Sequence, residues 1–268
     1  MSNNVQKRKK KNFNKITFVS LFLIIEIIIL SFVGSEKEEN SAVETFSETV
    51  ENISENISEN ISENIIEKPQ KEINSNVDDW NLMLVNKNNS VPDNYQVKTK
   101  IVEGNHKLDY RIIESAQKML EDARKEGLNP IICSSFRSTE KQKTLFNNKV
   151  NEYKRKGYSL NGAKEKASLW VAIPGTSEHE IGLALDIVSK KYQILDEKQE
   201  KTKEQQWLIE NCNKYGFVLR YPTDKKEITQ INYEPWHYRY VGVENAKFMT
   251  EKGYCLEEYI EYLKSFEE

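Results

Sequence analysis

The chain has 268 residues, of which 38% are hydrophobic and 30% charged, with a formal net charge of -3. That apolar content excludes a wholly disordered protein, and the sign of the charge excludes a polybasic nucleic-acid binder. Three cysteines with no C-x-x-C pair exclude a disulfide framework and a thiolate zinc finger.

The average charge conceals four segments. Residues 1–15 carry six basic side chains and no acid, a cytoplasmic tip of +6. Residues 16–34 carry only Glu26; within them 14 of the 18 positions from Ile16 to Val33 are strongly apolar. As a helix that run spans roughly 27 Å at about 1.5 Å per residue, the thickness of a hydrocarbon core. Central Glu26 costs about 3 kcal/mol, and the apolar side chains return about 0.3–0.6 kcal/mol each, so insertion wins. A cleaved signal peptide is the alternative, but its apolar region is usually shorter and the exit here is not A-x-A. The basic flank lies N-terminal, which keeps the amino end in the cytoplasm and exports the rest. Residues 35–79 hold 13 acids against three lysines, with a four-residue Glu-Asn-Ile-Ser repeat, and read as a solvated acidic tether.

Residues 80–268 carry 30 basic and 28 acidic side chains and have globular patterning. In chain order, 82–85 reads as a short buried strand. Residues 108–126 form an amphipathic helix with Ile112, Ile113, Ala116, Met119, Leu120 and Ala123 on one face and Gly127 as its stop. A strand follows at 130–134, helices at 138–156 and 161–171, and a strand at 183–188. A helix at 203–215, stopped by Gly216, precedes strands at 217–221, 228–231 and 236–241. Helices at 243–252 and 256–266 close the chain. The order lacks a strict βαβ rhythm, which favours an α+β domain with a mainly antiparallel sheet.

Two of the three histidines sit in dense polar clusters, Ser177-Glu178-His179-Glu180-Ile181-Gly182-Leu183-Ala184-Leu185-Asp186 and Tyr233-Glu234-Pro235-Trp236-His237-Tyr238. A catalytic zinc needs three N or O ligands and one open position. His179, Asp186 and His237 supply two imidazoles and a carboxylate. Gly182 lets the chain turn after His179, the strand near Leu183 delivers Asp186, and small Ala184 leaves room beside the metal. Glu234 is then the free carboxylate that takes a proton from water. Glu234 and His237 would face opposite ways in a regular strand, and Pro235 suggests a bent entry that brings both to one side. Either cluster alone is also compatible with ordinary core or surface histidines.

The pattern S-x-H-x-x-G-x-A-x-D, matched by Ser177, His179, Gly182, Ala184 and Asp186, together with the E-P-W-H-Y of the second cluster, resembles the VanY-type zinc D,D-carboxypeptidases. That group also holds VanX-type dipeptidases and LdcB-type L,D-carboxypeptidases. Leu84-Val85-Asn86-Lys87 and Ser135-Phe136-Arg137-Ser138 resemble it too, so the similarity runs over about residues 80–257. It implies a Hedgehog-like α+β fold, one catalytic Zn2+ on His179, Asp186 and His237, and Glu234 as base. Arg137 matches the arginine that faces the scissile carbonyl. Ser177 and Gln142 match positions that bind the substrate's terminal residue, although Thr139-x-x-Gln142 also reads as a helix capping box. Trp236 lines the pocket or packs beneath it.

The expected partners are peptidoglycan stem peptides or muropeptides and, through residues 16–34, the membrane; nucleic acid is not expected. The reaction implied is removal of a C-terminal D-alanine. L,D-carboxypeptidase or endopeptidase activity, or a zinc-containing wall-binding domain without turnover, remain the alternatives. His106 reads as a surface residue and Cys133 as a buried small hydrophobe, and pairing of Cys212 with Cys255 is left open.

Overall fold

The computed structural model describes residues 72–267. The predicted span 16–34 and nearly all of the predicted tether lie outside those residues. Among the described residues no helix is long and apolar enough to cross a membrane.

The first regular element among the described residues is a hairpin, pairing β1 (Thr99–Glu103) with β2 (His106–Asp109) around Gly104. The main sheet has four antiparallel strands: β3 (Pro130–Ser134), β4 (Ala184–Ser189), β5 (Phe217–Leu219) and β6 (His237–Tyr240), in the order β3-β4-β6-β5. The α+β, mainly antiparallel architecture read from the sequence is the one found.

Helix α1 is Ile113–Lys125, preceded by a 3-10 turn at Tyr110–Ile112, so the predicted helix starts later than 108 because β2 runs to Asp109. All six predicted positions are buried, and all but Ala123 join Ile132, Leu185, Ile187, Phe217 and Tyr238 from one face of the sheet in the main core. Fully burying a side chain such as Leu120 or Met119 stabilises by about 1.5–3 kcal/mol, so this stripe is what fixes the helix to the sheet. A helical hairpin, α2 (Thr139–Arg155) and α3 (Leu160–Ser168), has its own small core of Phe146, Val150, Ala163 and Ala167. Helix α4 (Lys203–Asn211) continues as a 3-10 turn to Tyr215 and ends at Gly216, φ 83°. After the short helix α5 (Lys226–Thr229), the helices α6 (Val243–Lys252) and α7 (Leu256–Lys264) pack with Leu82, Val218 and Val241 in a second core. Ile73 and Val77 pack there as well, and Ser75 donates to Asn245 at 2.6 Å, so ordered packing begins upstream of Trp80.

Several local expectations are corrected. Residues 82–85 form no strand, although Leu82 and Val85 are buried, because the Asn81 and Met83 carbonyls accept from the Arg239 guanidinium rather than from a neighbouring strand. Residues 228–231 do not form a strand either; Lys226–Thr229 is a helical turn that ends at Gln230, φ 59°. Cys133 is exposed, since a β-bulge between Ile132 and Ser134 leaves it without a paired residue on β4, although its thiol donates to the Asp186 carbonyl at 3.5 Å. Cys212 and Cys255 are both buried and unpaired. His106 is half-buried, with Nδ1 3.2 Å from the Ser135 hydroxyl.

The two faces of the sheet differ in chemistry. Directly paired residues in an antiparallel sheet share a face. Asp186 pairs with His237 on one side and Ser134 on the other, and Ala184 pairs with Arg239. Leu185 and Tyr238, one residue along, turn to the core. The bulge at Cys133 is what brings Ser134, rather than its neighbour, opposite Asp186.

Candidate active site

His179 reaches the polar face from a buried 3-10 turn, Glu178–Ile181, just before β4. The turn closes at Gly182, φ 70°, where a Cβ would stand 2.9 Å from the Asp109 amide nitrogen and 3.0 Å from a Val97 methyl. Both conformation and space therefore require glycine there. The Glu180 carboxylate accepts from the Ser177 and Gly175 amides, at 3.3 and 2.9 Å, and secures the start of the turn.

His179, Asp186 and His237 converge as expected: one ligand atom from each lies within 4.8 Å of the others, and all three residues are buried. The turn Glu234-Pro235-Trp236 is closed by the His237 amide donating to the Glu234 carbonyl at 3.2 Å. It sets Glu234 Oε2 3.8 Å from His237 Nδ1, on the same side, as the bend at Pro235 predicts. Glu234 is buried.

The hydrogen bonds around the imidazoles select their free nitrogens. His179 Nδ1 lies 2.8 Å from the Ser135 carbonyl, which only an N–H can satisfy, so Nε2 keeps its lone pair. His237 Nε2 lies 3.2 Å from Glu178 Oε2, which turns Nδ1 toward Asp186. Asp186 Oδ1 is 3.3 Å from His179 Nε2 and 3.0 Å from His237 Nδ1, yet it is a buried acceptor without a hydrogen-bond partner. An orphan carboxylate oxygen between two imidazole nitrogens, each oriented from behind, is the donor set that one zinc ion accepts. The residues present fit the metal.

Charge around the triad is uneven. Burial, with Arg137 alongside, lowers His179 to about 4 against the pull of Asp186. His237 is raised to about 9: burial opposes its charge, but the carboxylates of Asp186 and Glu178 on either side of its ring prevail. Burial pushes the Glu234 carboxyl up to about 8, with Asp186 and Glu178 adding repulsion and His237 and Arg137 pulling the other way. A carboxyl raised this far is suited to exchanging a proton near neutral pH.

Arg137, just beyond β3, is largely buried and points into the triad. Its Nη2 donates to Asp186 Oδ2 at 2.8 Å and to His179 Nε2 at 2.9 Å. Nε donates to the Ser134 hydroxyl at 2.9 Å and Nη1 to Gln142 Oε1 at 3.1 Å. Gln142 is fully buried and its Nε2 donates to the Ala172 carbonyl at 2.7 Å, so both ends of its amide are engaged. The capping-box alternative fails, because the N-cap of α2 is Ser138, whose hydroxyl accepts from Lys141. Ser177 and Trp236 are both buried beside the triad's own segments, and Trp236 belongs to none of the apolar cores.

Ala184 lies on the same face as Asp186, and its facing partner is Arg239, which runs beneath the site. Sequence reasoning missed this lower layer. Glu178 accepts from Arg220 Nε at 2.6 Å and Arg239 Nη1 at 2.9 Å, and Glu257 binds Arg220 through both carboxylate oxygens at 2.7 and 2.8 Å. One signal was available: Arg239 lies two residues from His237 on the same strand, hence on the same face.

Residues 105–243 match the family model for VanY, D-alanyl-D-alanine carboxypeptidase. A D-alanyl-D-alanine carboxypeptidase of Enterococcus faecalis is 44% identical over 182 residues, an alignment covering 68% of this chain and 66% of that protein. The chain thus spans about two thirds of the length of that relative. Among solved structures, a variant of the D,D-pentapeptidase VanY from a VanB-type resistance cassette, in complex with Zn(II), is 44% identical with a TM-score of 0.62, over 68% of this chain and 99% of that one. The LdcB LD-carboxypeptidase is 36% identical with a TM-score of 0.56, over 66% of this chain and 84% of that one. With the two-histidine, one-aspartate donor set in place within the matched residues, the chain belongs to the VanY D-alanyl-D-alanine carboxypeptidase family and is a zinc metallopeptidase.

Proposed function

We propose that the protein removes the C-terminal D-alanine from peptidoglycan stem peptides, as a D,D-carboxypeptidase anchored through residues 16–34 with its catalytic domain outside the membrane. The observation that carries the reading is the placement of Glu234: a buried carboxyl 3.8 Å from the ligand His237 and outside the donor set. A pure metal-binding module has no use for such a group.

Zinc, when bound by His179, Asp186 and His237, supplies Lewis-acid activation of the scissile carbonyl and of the attacking water. Glu234 takes the proton from that water and returns it to the leaving amine. Arg137 supplies a fixed guanidinium where negative charge develops on the carbonyl oxygen. Gln142, bonded to Arg137 on one side and to the α3–β4 connection on the other, holds that guanidinium in place. Ser177 and Trp236 complete the walls that receive the terminal D-residue. The near-neutral charge of residues 80–268 leaves recognition to these local groups rather than to broad attraction by an anionic wall.

The likeness to an LD-carboxypeptidase supports a second reading, cleavage at a tetrapeptide terminus. Mass spectrometry of products from pentapeptide and tetrapeptide stems separates the two. Loss of one alanine from the pentapeptide alone is expected; cleavage of the tetrapeptide alone would refute D,D specificity.

A further inference from the structure

We propose that Glu178 is a positioning residue for the zinc ligand His237, held in place by Arg239 and by an ion-pair chain through Arg220 to Glu257 on the C-terminal helix. The role rests on the metal triad and is independent of which peptide is cleaved.

Glu178 has a fully buried side chain and three donors within reach. Its two oxygens divide the work. Oε1 takes both guanidiniums, Arg220 at 2.6 Å and Arg239 at 2.9 Å, which leaves Oε2 for His237 Nε2 at 3.2 Å. A buried carboxylate needs opposite charge to stay ionised, and the two arginines supply it. Two arginines would overbalance one carboxylate. Glu257 restores neutrality by binding Arg220 with both oxygens, and Asn86 donates to it at 3.0 Å. The second arginine is tied instead to backbone: Arg239 Nη2 donates to the Asn81 and Met83 carbonyls at 3.0 and 2.9 Å.

The chain therefore ends on two flanking pieces, the arm before β1 and helix α7, and its inner end is a single carboxylate oxygen behind a metal ligand. That oxygen fixes the ring orientation and its tautomer. It also makes His237 a stronger donor than His179, whose rear partner is the neutral Ser135 carbonyl. An ion-pair cluster serving stability alone would not require Oε2 to face the imidazole.

The test measures zinc affinity by competition with a chromophoric chelator, on the wild type, Glu178→Gln and Glu257→Gln. Glu178→Gln is expected to bind zinc about 10- to 100-fold more weakly, and Glu257→Gln more weakly by a smaller factor. Melting of the zinc-free proteins is followed in parallel. A variant that melts earlier but binds zinc within twofold of wild type would overturn the role and leave only a structural one. Nitrogen-15 histidine spectra of the zinc-loaded wild type provide a readout that survives misfolding of the variants. His237 is expected to carry its proton on Nε2 and His179 on Nδ1; a proton on His237 Nδ1 overturns the proposal. Wild-type protein that takes up no zinc would overturn the metal site and this role together.

Discussion

Replacing Gly182 by alanine tests how tightly the fold and the site are joined. The residue sits at φ 70°, where an L side chain costs about 1–2 kcal/mol. The new Cβ would also stand 2.9 Å from the Asp109 nitrogen and 3.0 Å from Val97 Cγ2. The first neighbour is backbone, and its amide donates to the Gly182 carbonyl at 3.0 Å, so it cannot move away freely. Overpacking of this kind adds about 1–3 kcal/mol. The sum, about 2–5 kcal/mol, lowers the melting temperature by roughly 4–20 °C in a domain of this size, at about 2–4 °C per kcal/mol. Gly253→Ala is the internal control: φ is 66° but nothing lies within 4 Å of the added carbon, so the strain acts alone and the shift is about 2–8 °C. Calorimetry of both zinc-free variants gives the comparison, and a zinc titration follows displacement of His179, three residues upstream. Equal shifts for the two variants, with zinc binding retained in Gly182→Ala, would refute the reasoning.

Three further outcomes are expected. Arg137→Lys loses the planar fork that reaches Asp186, Ser134 and Gln142 together, so kcat should fall about 100-fold with a smaller change in KM; an unchanged kcat counts against its role at the oxyanion. Burial raises the Glu257 carboxyl, but the charge and hydrogen bonds of Arg220, with the Asn86 amide, together hold it below the ordinary carboxylate range. Its stabilising contribution is complete above the unfolded value of about 4.3 and is lost as pH falls through its lower folded value. Glu257→Gln should therefore flatten the fall in melting temperature below about pH 4.3, and parallel wild-type and variant curves would contradict this. For the proposed anchor, the full chain should sediment with membranes and a chain lacking residues 1–34 should not; equal partition of both into the soluble fraction would count against it.

Local chemistry was readable in the sequence because it repeats within a turn or a strand. The α1 stripe has helical spacing and all six of its positions are buried. Gly182 after His179 and Pro235 before His237 each announced a bend, and each bend carries a ligand inward. What the sequence obscured depends on tertiary competition. Leu82 and Val85 are as apolar as strand residues, but Arg239 claims the carbonyls around them. Ile228 and Ile231 have strand-like character, yet Gln230 turns the chain out of any ladder. Cys133 looked like an inward strand residue until a one-residue bulge exposed it. The layer beneath the metal was hidden for a different reason. Glu178 meets Arg220 and Arg239 across 42 and 61 residues, and no local periodicity encodes such a pairing.

The central claim is a zinc peptidase in which Glu234 moves the proton. Release of D-alanine from a muropeptide pentapeptide, measured for the zinc-loaded wild type and Glu234→Ala, tests it most directly. The account predicts steady release by the wild type, abolished by a chelator and restored by zinc, and a loss of about 100- to 10,000-fold in the variant with zinc still bound. Release by Glu234→Ala at the wild-type rate would contradict it.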